Sequence, residues 1–383
     1  MPNNMGASRP LAQSYTVAAQ LEKKAPDSYL FFISTGFAML PSGHMVAGAP
    51  IFRRFYKGGY EGHGVALSIS RDKGRTWHPI WHYPSVTPLE MALFVHENRL
   101  YMLITPHTKD GGRIWVTASD DEGLTWSEPV EVINGPFKWL ASHQLAMTIR
   151  DGRLFWAVSE ENMRLAVVSC DLGEGLLNPN AWRISNFTEM PIPPEINPGL
   201  FPGPDMRCLE GNVVSVNGHI RVIARAVIDR QGTASLAAVY DLNIEDGKLE
   251  LTFSQFYPVP GAQCKVYIVY DEQSRLFWMA SNIPANSQKW IDTAHLGNPG
   301  NDRRFLLLWY SCDALNWFPA GCIAAAEKLT QSFHYASMVI DGDDLAIISR
   351  TSLNSGNEHD SELLTFHRVR EFRSLAMDIF PKV

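Results

Sequence analysis

Three strand-like segments carry the arginines best able to do chemistry: Arg225 in NGHIRVIAR, Arg303 and Arg304 in NPGNDRRFLLLWYSCD, and Arg350 in LAIISRTS. A guanidinium is a planar fork of donors that matches a carboxylate bidentately, so arginines brought to one point would hold a carboxylated ligand. Other chemically able residues are read singly. Arg53 and Arg54 in IFRRFYKGGYEGHG stand at a strand end, where exposed arginines are ordinarily solvated. His107 in LITPHTKD and His143 in WLASHQLAM also stand at strand ends, and a lone histidine there is more often a structural hydrogen-bonding residue than a ligand. Lys265 in AQCKVYIVY begins a strand and can meet a carboxylate. Glu358, His359 and Asp360 invite a metal reading, but three consecutive residues of an extended chain do not converge on one ion; no metal and no other cofactor is expected. Arg368, Arg370 and Arg373 read as a solvated strand face. The five cysteines, Cys170, Cys208, Cys264, Cys312 and Cys322, are scattered without a C-x-x-C pair, which favours free buried thiols over disulfides or zinc.

These residues lie far apart in the chain, so the fold must gather them, and the fold announces itself as a repeat. SISRDKGRTW at 68–77 returns as TASDDEGLTW at 117–126, matching Ser70, Asp72, Gly74, Thr76 and Trp77 to Ser119, Asp121, Gly123, Thr125 and Trp126. Around each box the chain reads as short apolar runs split by turn signals, a meander of four strands. Weaker copies follow: LFWAVS to AWRIS, VVSV to LTFSQF, KVYIVY to RFLLLWYSCDALNW, and ASMVI to LLTFHRV, with long insertions near 188–205 and 284–300. No segment reads as a helix of ordinary length. Six units of roughly fifty residues predict a six-bladed β-propeller of four-stranded antiparallel blades, all-β and one domain over 1–383, with QSYTVAAQL closing the last blade beside LLTFHRV. In each box the aspartate is expected to accept turn N–H groups, the glycine to take positive φ and the tryptophan to pack between blades.

A net charge of −7 without a basic run gives neither nucleic acid nor an anionic membrane an electrostatic footprint. The opening MPNNMGASRPLAQSYTV lacks a cationic stretch followed by an apolar core, and no window is apolar enough to span a bilayer. A cytoplasmic location, or secretion if a leader has been removed, is the expectation.

The boxes, Ser-x-Asp-x-Gly-x-Thr-Trp, resemble those of the sialidase-like superfamily of six-bladed propellers, whose members act on acidic sugars or only bind them. The resemblance covers nearly the whole chain and implies roles for particular residues. Tyr335 in HYASMVIDGDDLAIIS resembles the tyrosine that attacks the anomeric carbon. Glu210 stands within one residue of the glutamate that polarises it, and Arg225 and either Arg303 or Arg304 match arginines that hold the substrate carboxylate. His334, one residue before Tyr335, should point away from it on a strand. Two positions depart from the pattern. FFISTG, with Ile33 or a neighbour, replaces the arginine that opens the first blade, and Arg350 replaces the glutamate that supports it. GYEGHGVALSIS offers His63 and Glu61 where the acid/base aspartate belongs. The resemblance implies an enzyme acting on an acidic oligosaccharide or glycoconjugate: a glycoside hydrolase with Tyr335 as nucleophile and His63 or Glu61 as acid. Elimination at a uronate by a His/Tyr pair, as in the propeller lyases and rhamnosidases that SRT…HDSELLTFHRVREFR also resembles, is the second reading, and a non-catalytic glycan-binding propeller the third.

Overall fold

The computed structural model describes residues 10–12, 14–21, 25–80, 88–106, 112–135, 140–141, 147–160, 164–191, 207–227, 235–284 and 302–377. They form six antiparallel sheets, each a blade running from an inner to an outer strand. Blade 1 takes its inner strand in two pieces, Ser28–Phe32 and Gly36–Met39, both paired with Met45–Phe55, followed by Tyr60–Ser70 and His78–Pro79. Blade 2 is Pro88–His96, Arg99–Pro106, Arg113–Ser119 and Val130–Asn134. In blade 3, Leu140–Ala141 and Thr148–Arg150 both pair with Arg153–Glu160, and Leu165–Asp171 and Trp182–Ile184 follow. Blade 4 is Arg207–Val216, His219–Val227, Leu236–Glu245 and Lys248–Pro258; blade 5 is Tyr267–Asp271, Leu276–Asn282, Phe305–Ser311 and Phe318–Ala325. Blade 6 combines Ser332–Asp341, Asp344–Ser352 and Leu363–Val369 with the N-terminal Tyr15–Gln20, which pairs from Tyr15↔His367 to Gln20↔Leu363 and closes the ring. The described residues contain only short 3-10 turns besides strands, and none of their helices is long and apolar enough to cross a membrane. The insertion-bearing stretches 192–206 and 285–301 lie outside the described residues.

Why the strands read as continuous apolar runs follows from this arrangement. Successive side chains of a strand point to opposite faces, and here both faces meet a neighbouring blade. In Arg153–Glu160, Leu154, Trp156 and Val158 pack toward blade 2, whereas Phe155 and Ala157 pack toward blade 4. Six apolar clusters result, one between each pair of adjacent blades.

The boxes lie after the third strand of a blade. In the first, Ser70 Oγ donates to Asp72 Oδ1 (2.9 Å) and accepts the Gly74 N–H (2.8 Å), while Asp72 accepts the Thr76 N–H (2.8 Å) and hydroxyl (2.6 Å). Ser119, Asp121, Gly123 and Thr125 repeat those bonds at the same lengths. A degenerate third copy, one residue shorter, keeps Ser311 and Asp313, with Asn316 in place of threonine and Ala314, at φ 59°, where Lys73 stands in the first box at φ 61°. The bonds from Thr76 hold the Asp72 carboxyl down at about 2. Its contribution to stability is therefore present above the ordinary carboxylate range and is lost as pH falls through about 2. Trp77 packs on Phe366 of blade 6 and donates to Thr16 Oγ1 at 3.2 Å, as expected of an inter-blade residue.

Gly74 has φ +84°, and a Cβ there would stand 2.1 Å from the Phe366 ring. Gly74→Ala should therefore destabilise by about 2–4 kcal/mol, combining left-handed strain with overpacking, and should appear as a lower Tm. Ligand affinity should not change, since the boxes lie at the end of the ring where inner strands finish, opposite the site described below.

Two expectations about surface residues need correction. Arg368 bridges Asp341 (2.7 Å) and Asp344 (3.0 Å), and Arg373 bridges Asp271 of blade 5 (2.7 Å), so these arginines join elements rather than form a solvated face. Against the upward pull of partial burial, the Arg373 bond keeps the Asp271 carboxyl at about 2. All five thiols are free, but Cys312 is exposed and Cys322 only partly buried; Cys170, Cys208 and Cys264 are buried.

Candidate active site

Since each blade runs from inside to outside, all inner strands enter the ring at one end of its axis. Two of them are distorted there in the same way. In Arg207–Val216 the register slips between Leu209 and Asn212, and Glu210 takes φ 58°; in Ser332–Asp341 it slips between His334 and Ser337, and Tyr335 takes φ 47°. A left-handed conformation at a bulky residue costs about 1–3 kcal/mol and persists only where its surroundings impose it. At Tyr335, Thr35 of blade 1 imposes it: its hydroxyl donates to the Tyr335 carbonyl (2.8 Å) and lies 2.8 Å from Ser337 Oγ, which in turn donates to the Thr35 carbonyl (3.0 Å). Such bulges re-aim side chains that regular alternation would direct elsewhere.

Tyr335 is 8% exposed and ringed by cations: Arg350 Cζ lies 4.7 Å from its ring centroid, Arg303 Cζ 5.0 Å and Lys265 Nζ 5.2 Å. Arg225 completes the group through its ion pair with Glu210 at 3.1 Å, close enough for both to act electrostatically on Tyr335. Each cation is positioned by its own element. The Arg303 carbonyl accepts the Phe333 N–H (3.0 Å) and an amide hydrogen of the buried Asn282 (3.3 Å), which ties blade 5 to blade 6. Lys265 reaches across the axis to Ser34 Oγ at 3.2 Å, beside the position where the resemblance expects an arginine. Burial lowers Lys265 to about 8, opposed by Glu90 and Glu210, and lowers Arg350 to about 10. The Tyr335 hydroxyl is pushed up: burial and the Glu210 charge outweigh Arg303, Arg225 and Arg350. The free protein therefore holds Tyr335 as a phenol.

His334 also departs from the sequence expectation. The bulge breaks alternation, so its ring lies 4.7 Å from that of Tyr335 instead of pointing away. Arg303 Nη1 donates to its Nδ1 (2.9 Å), which puts the proton on Nε2, facing Ser361 Oγ at 3.0 Å. Burial, with Arg350 and Arg303 nearby, lowers it far below the usual histidine value, and both nitrogens are occupied. His334 is thus a structural support of the site.

The remaining candidates separate. Arg304 turns to the buried Asp302 (2.8 Å), so Arg303 is the one that meets Tyr335. His63 shares the rim of blade 1 with Arg53, whose Nη2 lies 3.4 Å from its Nδ1, and Arg53 also pairs with Glu61 at 3.4 Å. None of these three makes a contact to Tyr335 among the described residues. Arg54 pairs with Asp360 at 2.8 Å. His107 and His143 lie outside the described residues. Asp360 also accepts from the Tyr29 hydroxyl (2.5 Å) and from His359 (2.8 Å), and the His359 ring stands edge-on to Tyr335, centroids 6.3 Å apart. Among the described residues no group of three His, Cys, Asp or Glu is arranged to hold a metal.

The molecule is thus a six-bladed propeller with a buried, cation-lined axial site around one tyrosine. The chain belongs to the BNR repeat-like domain family, whose model matches residues 12–347. Among solved structures it is similar to Trypanosoma rangeli sialidase in complex with sialic acid, at 16% identity and TM-score 0.61, over 94% of this chain and 59% of that one. Hadza microbial sialidase Hz136 is similar at 16% identity and TM-score 0.56, over 89% and 66%. Penicillium chrysogenum alpha-L-arabinanase complexed with arabinobiose is similar at 13% identity and TM-score 0.55, over 94% and 99%. The chain therefore spans less than two thirds of the length of the trypanosomal sialidase chain and nearly all of the arabinanase. At these identities the likeness is one of fold. No curated protein matches the sequence.

Proposed function

We propose that this chain is a glycoside hydrolase of the sialidase-like type, acting on an acidic oligosaccharide or glycoconjugate. The observation that carries this reading is the convergence of Arg225, Arg303, Arg350 and Lys265 on Tyr335, against the two nearby carboxylates of Glu210 and Glu90. Burying guanidinium groups is costly unless an anion answers them. The Nε–H groups of Arg225 and Arg350 are buried without an acceptor among the described residues, which leaves donors for an anionic ligand. A sugar carboxylate fits that demand. Tyr335 is the nucleophile, Glu210 raises its basicity by charge, Arg225, Arg303 and Arg350 hold the carboxylate, and His63 on the rim protonates the leaving oxygen.

A specific observation favours elimination as a second reading: a phenol held protonated beside an imidazole is also an acid and a base. The test is incubation with the 4-methylumbelliferyl glycosides of N-acetylneuraminic and glucuronic acid and with uronate-containing oligosaccharides. Release of fluorophore with a saturated sugar is the expected result. Rising absorbance of an unsaturated uronate would establish elimination instead, and saturable binding without any product would make the chain a glycan-binding propeller.

A further inference from the structure

Regular alternation and the expected acid/base position both direct attention away from the loop between Asp344–Ser352 and Leu363–Val369, yet this loop carries the most deliberately oriented histidine in the site. His359 Nδ1 lies 2.8 Å from Asp360 Oδ1. Asp360 is almost wholly buried and holds its carboxylate between Tyr29 and Arg54 of blade 1, so it is ionised and accepts, and Nδ1 must donate. That fixes the tautomer: Nε2 carries a lone pair, and no hydrogen bond to it is made among the described residues. The backbone is fixed as firmly. Asn357 Oδ1 accepts the N–H groups of His359 (2.7 Å) and Asp360 (3.3 Å), and Arg350, which also packs on Tyr335, donates to the His359 carbonyl. The imidazole itself is not enclosed: 38% of its side chain is accessible, and it faces Tyr335 edge-on. An imidazole oriented through Nδ1 by a buried carboxylate, with Nε2 unoccupied and the Tyr335 ring 6.3 Å away, has the arrangement of a general base.

We infer that His359, oriented by Asp360, takes the hydroxyl proton of Tyr335 during catalysis, directly or through one water. This rests on the hydrolytic reading above and assigns it a base that nothing in the sequence pattern names. Glu210 is the less able acceptor, since Arg225 already holds its carboxylate. As the Tyr335 oxygen bonds to the anomeric carbon, its proton passes to Nε2. The bond to the leaving oxygen breaks with its electron pair and takes a proton from the His63 imidazolium. Water then attacks the anomeric carbon and gives its proton back to His63. The carbon–oxygen bond to Tyr335 breaks with its pair onto the phenolic oxygen, which recovers its proton from His359. Every proton is returned, and the net reaction is hydrolysis.

The groups that face His359 also set its working range. They are Glu358 and Asp360 on its own loop, His334 and Tyr335 on the blade 6 inner strand, Arg350 beside them and Arg303 from blade 5. Desolvation by the protein packed around the ring, together with Arg303 and Arg350, lowers His359 to about 4 despite Asp360, although one edge of the ring stays accessible. It is therefore a neutral base above about pH 4.

The test uses the full chain and the two 4-methylumbelliferyl glycosides. His359→Ala and His359→Gln should each lower kcat by roughly 100-fold or more with the Kd for free N-acetylneuraminic or glucuronic acid and Tm little changed, and added imidazole should restore part of the rate in His359→Ala. The wild-type rate should lose its base only below about pH 4. Full turnover in both variants, or loss of turnover that imidazole does not relieve, would overturn the inference. A second arm does not depend on turnover: nitrogen-15 spectra of labelled histidine, with the His359 signals assigned by their absence in His359→Gln. The Nδ1-protonated tautomer persisting at neutral pH supports the assignment, and an Nε2-protonated tautomer overturns it. Should wild type cleave neither glycoside, the hydrolytic reading fails while the spectra still decide the state of His359.

Discussion

Tyr335→Phe is expected to lower kcat by at least about 100-fold while leaving ligand affinity and Tm nearly as they are. The substitution removes one oxygen and keeps the ring on which Arg350, Arg303 and Lys265 pack at 4.7, 5.0 and 5.2 Å. It also keeps the backbone bond from Thr35, because that bond ends on the carbonyl. Since the hydroxyl makes no hydrogen bond among the described residues, its removal strands no buried partner, and a purely structural tyrosine would tolerate the change in both rate and stability. A Tyr335→Phe protein with wild-type turnover would eliminate the tyrosine nucleophile and, with it, the role inferred for His359.

Arg303→Lys tests the ligand side of the site. The change preserves charge but discards the planar fork, so the affinity for a carboxylated sugar should fall by roughly tenfold to a hundredfold, the value of about 1.5–3 kcal/mol for a hydrogen bond to a charged group. The informative comparison is between a free acid and its methyl ester, measured by calorimetry on both proteins. Wild type should prefer the acid strongly and Arg303→Lys much less. The variant also gives up the bond to His334 Nδ1 at 2.9 Å, so a modest decrease in Tm is expected. If the two proteins discriminate acid from ester equally, Arg303 does not meet the carboxylate.

The fold is legible because the feature that builds it is local and repeated. Each box is a turn made by residues within seven positions of one another, and its spacing marks the end of a blade's third strand. The paired apolar runs then follow, since strands buried on both faces need apolar residues at every position. The site is less legible because it depends on departures from regularity. Tyr335 and Glu210 are visible as residue types, but their bulges leave no mark on an apolar pattern, and without the bulge His334 reads as facing away. The neighbours Arg303 and Arg304 cannot be told apart in the sequence; Asp302 decides between them by engaging Arg304. His359 and Asp360 read as failed metal ligands because consecutive side chains diverge from one point. Here they need not share an ion, since one serves as the hydrogen-bond partner of the other. Their orientation depends on Tyr29 and Arg54, more than three hundred residues away in the chain, and no spacing rule reaches that far.

The seam at which Tyr15–Gln20 joins Leu363–Val369 has a consequence for biosynthesis. The strand translated near the beginning has no partner until the last blade is made, and at about 5–20 residues per second that interval is on the order of tens of seconds. Blades 1 to 5 can acquire their own strands in the order of synthesis, but Phe32, Phe37 and Met45 on the first blade face an interface completed only by Ile348, Leu364 and Phe366. The nascent chain thus carries an apolar blade face and an unpaired strand together, the combination most prone to pairing with another chain. Ring closure must wait for Leu363–Val369, and the concentration of partly made neighbours on the same message sets the competition it must win.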